Sequence, residues 1–267
     1  MLTLFVFGSG SCGNCYYLSD GNEALLIDAG VSLRRMKRTM YEYGIKIGKV
    51  KALLVTHDHA DHVKNSGVIS KEYNLDVYAT EKVHEGIQRS YMIKQKVDVE
   101  HRKYIVPDTT FHIGNYEITP FSLPHDSSEN VGYQIKNGGE TFCLMTDVGD
   151  VTYNVNKFIL QANHLVVEAN YDPEMLRNGR YPEILKQRIT SGTGHLSNIQ
   201  TANALTANFH ENLKNIWLCH LSEENNHPEL AKKTIETHLR SFGIIAGKDC
   251  NLEVLRRKVP TGPFELK

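Results

Sequence analysis

The segment Thr56-His57-Asp58-His59-Ala60-Asp61-His62 constrains this chain more than any other feature, because it crowds three imidazoles and two carboxylates into seven residues. Residues 51–55 before it read as an apolar strand, so His57 and His59, two apart in extended chain, point the same way. Asp61 and His62 open the helix that follows and turn toward the same volume. Such groups repel one another when protonated and forfeit hydration when buried. A divalent cation among them removes the conflict.

Later apolar strands each end in one metal-competent residue: His125 after 118–123, Asp147 after 141–145 and His220 after 215–218. An open α/β sheet edge builds sites in this way. His57, His59, Asp61, His62, His125, Asp147 and His220 make seven ligands, too many for one zinc and suited to two metals sharing a carboxylate.

The remainder of the chain is that of a globular protein. Its 267 residues suffice for a sizeable core, and the balance of 30 basic against 31 acidic residues excludes a strongly cationic binding strategy while leaving room for a local patch. No run approaches the roughly 18 apolar residues of a membrane span, and the chain opens without a basic segment. A cytoplasmic location with no membrane partner is expected. Five scattered cysteines argue against a disulfide framework.

Period-2 patterns predict strands over 2–7, 15–19, 24–28, 51–55, 76–79, 116–121, 131–136, 141–145, 165–168, 215–219 and 251–255. Helical spacing marks 31–43, 62–73, 81–91, 182–189, 197–209 and 228–242. Gly138-Gly139 supplies a hairpin turn. With no linker between the halves, the expectation is one continuous domain over 1–267, with two mixed sheets packed face to face and helices outside.

Two motifs do not carry the chemistry they suggest. Gly8-Ser9-Gly10-Ser11-Cys12-Gly13 matches G-x-G-x-x-G after a strand, but a second strand follows where a dinucleotide site needs a helix. A tight turn between strands is the plainer reading, with Ser9, Ser11 and Asn14 available beside an anionic substrate. Cys12-Gly13-Asn14-Cys15 has no second C-x-x-C to complete a zinc site.

Asp28 after a strand, then H-x-H-x-D-H, then isolated His125, Asp147 and His220 at strand ends resembles the five-motif pattern of the metallo-β-lactamase fold. The resemblance spans nearly the whole chain. It implies an α/β (α+β) architecture, a four-layer αβ/βα sandwich with metals at one edge. By that resemblance His57, His59 and His125 hold one ion and Asp61, His62 and His220 the other, with Asp147 bridging and Asp28 bracing the histidine loop. Two divalent ions, zinc or manganese with iron also admitted, would then share an activated hydroxide. The β-lactamases themselves usually place Cys where Asp147 stands, which disfavours the antibiotic-hydrolysing branch.

Glu168-Ala169-Asn170, Gly194-His195-Leu196-Ser197 and Cys219-His220-Leu221-Ser222 are similar to the nuclease branch, tRNase Z included. There the resemblance assigns catalysis to Asp61, His195 and Glu168, with His195 protonating the leaving oxygen and Glu168 holding it charged. Ser9–Asn14, Gly179-Arg180-Tyr181-Pro182 and Leu221–Asn226 look like the WalJ/YycJ group of small bacterial metallohydrolases. That group implies a metal-dependent 5′→3′ DNA exonuclease. Asp147 and His220 are too close in sequence for a β-CASP insertion, so substrate grip falls to the core domain. Ser9, Ser11, Asn14, Ser197 and Arg180 are the candidates for it, and Arg177 and Tyr181 lie close by. A thioester or lactone hydrolase on the same metals is the alternative.

Overall fold

The protein is described from a computed structural model covering residues 1–266. Its first sheet uses β1 (Leu2–Gly8), β2 (Cys15–Ser19), β3 (Ala24–Ile27), β4 (Val50–Leu54), β5 (Asp76–Ala79) and β6 (Arg102–Tyr104). The second uses β7 (Phe111–Ile113), β8 (Tyr116–Ser122), β9 (Val131–Asn137), β10 (Glu140–Met145), β11 (His164–Glu168), β12 (Asn215–Cys219) and β13 (Asn251–Val254). A last strand, β14 (Thr261–Leu266), returns to the first sheet. The strand orders are β14-β1-β2-β3-β4-β5-β6 and β13-β12-β11-β10-β9-β8-β7. Each sheet is antiparallel at one side and parallel at the other.

Alternation along the strands decides the layers. Leu4, Ile27 and Leu54 face inward and meet Tyr133, Ile135, Leu144 and Val166 of the other sheet. Their neighbours Phe5, Leu26 and Leu53 face outward. There they pack on α1 (Leu33–Glu42), α2 (Ala60–Val63), α3 (Ser66–Tyr73) and α4 (Glu81–Arg89) through residues such as Met36, Val63, Ile69 and Ile87. Strands buried on both faces read as nearly continuous apolar runs, which these are.

On the far side α5 (Tyr153–Ile159) precedes a short pair, α6 (Pro173–Asn178) and α7 (Glu183–Thr190). Then come α8 (Asn198–Asn208) and α9 (Pro228–Ser241). Phe158, Leu205 and Ile235 from α5, α8 and α9 cover Leu165, Val167 and Leu218 of the second sheet. The α6–α7 pair closes instead on its own small cluster of Tyr171, Leu176 and Ile189, with Tyr181 and Leu185 against it. The layers are therefore helix, sheet, sheet, helix, as the sequence pattern implied.

The hairpin at Gly138-Gly139 joins β9 to β10, with φ of 58° and 90° that only glycine adopts freely. The expected helix over 62–73 is in fact two. Asn65 interrupts it, its amide nitrogen donating to the Ala29 carbonyl (3.0 Å) and its side chain to the Val31 carbonyl (2.6 Å). Strands β6, β7 and β14 and helices α5 and α6 were not anticipated. Most are too short to show a period, and Gly262-Pro263 in β14 reads as a breaker. An edge strand tolerates it, because its outer side needs no donor.

Candidate metal centre

Strands β3, β4, β8, β10, β11 and β12 all end at one edge of the sandwich, where the chain turns abruptly. Asp28, Asp147 and His220 take left-handed backbone there, with φ of 60°, 57° and 52°. Non-glycine residues pay about 1–3 kcal/mol for such conformations, which persist where the surroundings over-determine them.

The structure brings all seven expected ligands together, and with them His195 and Glu168. Four overlapping sets form: His57, His59 and His125; His57, His62 and Asp147; Asp61, His62 and His220; Asp147, Glu168, His195 and His220. Within each set one donor atom per residue lies within 4.8 Å of the others. Asp147 belongs to two of the sets and also approaches a ring of each of the others. Its Oδ2 is 3.1 Å from His62 Nε2, and its Oδ1 is 3.5 Å from both His125 Nε2 and His220 Nδ1.

Hydrogen bonds behind the rings set which nitrogen faces the cluster. Asp28 accepts from His62 Nδ1 at 2.7 Å and from the Thr56 amide at 2.9 Å, and Thr56 Oγ1 lies 3.0 Å from His57 Nδ1. The Gly194 carbonyl accepts from His125 Nδ1 at 3.0 Å, and the Asp126 carbonyl accepts from His59 Nε2 at 3.2 Å. Glu168 Oε1 lies 3.1 Å from His220 Nδ1, and Asn170 Nδ2 holds the His220 backbone carbonyl at 2.7 Å. Partners of this kind orient imidazoles toward a metal.

The residues fit a cation. Nε2 of His57 and Nε2 of His125 are buried and have no hydrogen-bond partner among the described residues. A buried polar atom left bare costs about 1–3 kcal/mol, and these two face a shared volume with His59. Imidazole nitrogens with carboxylate oxygens suit zinc, manganese or iron.

Electrostatics divide the cluster. Burial drives His57 well below the ordinary imidazole value, with His62 adding to the effect, and burial likewise depresses His125. Burial opposes charge on His62 too, but Asp147, Asp28 and Asp61 outweigh it and raise that ring to about 10. His220 is raised in the same manner, its burial outweighed by Asp147, Asp61 and Glu168. Burial would lift the Asp147 carboxyl, yet the facing His220 and His62 hold it well below the usual range. Beside them, Glu168 Oε1 is 2.9 Å from His195 Nδ1. Despite burial, Glu168 is lowered by His195 and His195 is raised by Glu168.

The candidate substrate contacts fare differently. Ser9 is buried, its hydroxyl 3.0 Å from Tyr16 and accepting the His220 amide at 3.0 Å, so it props the His220 turn rather than facing a substrate. Asn14 is buried as well, with Nδ2 2.9 Å from His62 Nε2 and 3.4 Å from Asp61 Oδ2. Ser197 is the N-cap of α8, engaged with Gln200 in a reciprocal capping box. Ser11 and Arg180 are exposed, and Tyr181 packs in the α6–α7 cluster. Sequence reasoning missed Thr56, Asp126, Asn170 and Arg188. Thr56 and Asn170 stand inside motifs quoted above and Asp126 follows His125, which is a usable signal. Nothing in the sequence marks Arg188.

Residues 23–212 match the model of the beta-lactamase superfamily domain. The chain is 35% identical over 244 residues to exodeoxyribonuclease WalJ of Streptococcus pneumoniae, covering 91% of this chain and 90% of that protein. It is 35% identical over 257 residues to exodeoxyribonuclease YycJ of Bacillus anthracis, covering 96% of each. Among solved structures, the metallo-beta-lactamase fold protein YhfI from Bacillus subtilis aligns with a TM-score of 0.72 over 97% of this chain and 98% of that one, at 16% identity, a likeness of fold. Shared ancestry over nearly the full length, together with a strand-edge cluster built for divalent cations, shows that this chain belongs to the β-lactamase superfamily as a metal-dependent hydrolase of the metallo-β-lactamase fold, in the WalJ/YycJ group.

Proposed function

We propose that the protein is a dinuclear phosphodiesterase that removes nucleotides from DNA in the 5′→3′ direction. The observation that carries this reading is the His195–Glu168 pair beside the metal-competent cluster. Its Nδ1 is held by Glu168 at 2.9 Å, while Nε2 has no protein partner among the described residues. An alkoxide leaving group needs a proton, and a thiolate does not. A charged imidazole with one nitrogen pinned and the other open meets that need. The relatives named as exodeoxyribonucleases support DNA as the substrate.

His57, His59 and His125 would hold one cation and Asp61, His62 and His220 the other. Asp147 reaches both groups. Bound divalent cations, zinc or manganese by this donor set, lower the pKa of water and neutralise charge building on a phosphoryl oxygen. The chain's own residues supply the rest. His195 gives its Nε2 proton to the departing oxygen, and Glu168 keeps the ring charged and oriented through Nδ1. Asp28, Thr56 and the Gly194 and Asp126 carbonyls hold the other imidazoles in the tautomers the site requires.

His195→Ala is expected to lower nucleotide release from end-labelled DNA by about 10²–10⁴-fold while elemental analysis shows metal content retained. Cleavage at the wild-type rate by that variant would remove the acid role. Activity on a thioester or lactone panel with none on DNA would replace the reading by the small-molecule alternative.

Chelation gives a second expected result. Stripping cations held at about a hundred times their dissociation constant forfeits roughly 2.7 kcal/mol per site, a fall in Tm on the order of 5–10 °C for each. Activity should vanish with it, and both should return on adding Zn²⁺ or Mn²⁺. An unchanged melting curve after verified metal removal would contradict a buried cation site.

A further inference from the structure

Arg188 stands in the last turn of α7, its side chain half exposed at the rim of the cluster. Its Nε and Nη2 donate side-on to the two carboxylate oxygens of Asp126, the Nη2–Oδ1 bond being 3.0 Å. Asp126 in turn connects to two of the metal-competent rings. Its carbonyl accepts from His59 Nε2 at 3.2 Å, and its Oδ1 lies 3.5 Å from His125 Nε2. After Asp126, the carboxylates of Asp147 and Asp61 are the charges that act on the guanidinium.

An ion pair this exposed contributes little stability. Its geometry serves another purpose. A guanidinium pinned along one edge is pre-organised, and the edge bearing Nη1 makes no hydrogen bond among the described residues. Planar, fork-shaped donors of this kind match a phosphate oxygen pair. A chain of net charge −1 has no bulk attraction for a polyanion, so a cation held at the mouth of the site is where recognition must be local.

We propose that Arg188 is a substrate-binding residue: Asp126 fixes its guanidinium beside the His59 and His125 rings, and its free edge grips a non-bridging oxygen of the phosphodiester. This rests on the phosphodiesterase reading and assigns a residue that the sequence motifs leave out.

The test uses the metal-loaded enzyme and a single-stranded oligodeoxynucleotide, with Arg188→Ala and with Arg188→Gln, which keeps a hydrogen bond to Asp126 while losing the charge. Both are expected to raise KM about 10- to 100-fold with kcat changed far less. The slope of log KM against log salt should shrink by about 0.7, the share of one single-strand phosphate contact. Metal content by elemental analysis should match wild type.

An unchanged KM and salt slope in both variants would overturn the proposal while leaving the phosphodiesterase reading intact. Loss of metal with kcat falling alongside KM would also overturn it, since Arg188 would then act only by positioning His59 and His125. A wild-type enzyme that cleaves no phosphodiester would sink both.

Discussion

Replacing Asp147 with asparagine is expected to lower kcat/KM on DNA by at least about 10³-fold, the loss of several kcal/mol of metal-assisted stabilisation. Asparagine is the informative substitution. Asp147 has a φ of 57°, and asparagine tolerates left-handed backbone better than alanine does, so the change removes charge with little added strain. The carboxylate lies 3.1 Å from His62 and 3.5 Å from both His125 and His220, reaching the two proposed metal groups at once. Elemental analysis should show reduced occupancy, and circular dichroism should show the fold retained. Wild-type activity with full metal content would break the assignment of Asp147 as the shared ligand.

The second large effect concerns a residue with no side chain. A Cβ added at Gly30 would sit 1.5 Å from the Asp61 carbonyl oxygen and 2.1 Å from its carbon. Neither side of this contact can yield. The Asp61 carbonyl accepts the Asn14 amide at 2.8 Å, the His62 carbonyl accepts the Ala29 amide at 2.6 Å, and the Gly30 amide donates to Asn14 at 2.9 Å. Gly30→Ala is therefore expected to cost more than about 4 kcal/mol, at the exceptional end for one substitution. That corresponds to a Tm lowered by roughly 8–16 °C and the H-x-H-x-D-H loop displaced from its partners. Gly48→Ala, where nothing lies within 4 Å, is the control and should stay within about 0.5 kcal/mol. Equal melting temperatures for the two variants would show that the loop does not depend on this close approach.

Much of this candidate site is legible in the sequence. His57, His59, Asp61 and His62 are neighbours in the chain, so the extended stretch after β4 and the first turn of α2 converge them, and His125, Asp147 and His220 each follow an apolar run. The short edge elements were not legible, because three residues such as 102–104 cannot display a period. The break at Asn65 was hidden as well, since its side chain binds the Val31 carbonyl far away in sequence.

The Gly8–Asn14 turn shows the limit most plainly. Its serines and asparagine read as solvent-facing donors, yet Ser9 and Asn14 are buried and support His220 and His62. Polar residues in a glycine-rich turn have the same composition whether they meet a ligand or a neighbouring loop. Only the packing tells the two apart.

The sequence by itself determined which donors exist and that they gather at strand ends, because residue spacing and apolar alternation act over a few residues. The tertiary structure alone decided which nitrogen of each ring faces inward, which loop residues are buried, and that Arg188 meets Asp126 across 62 positions of chain. Those outcomes depend on how the two sheets and the α6–α7 pair come together, and a pairing made across layers leaves no local pattern in the sequence.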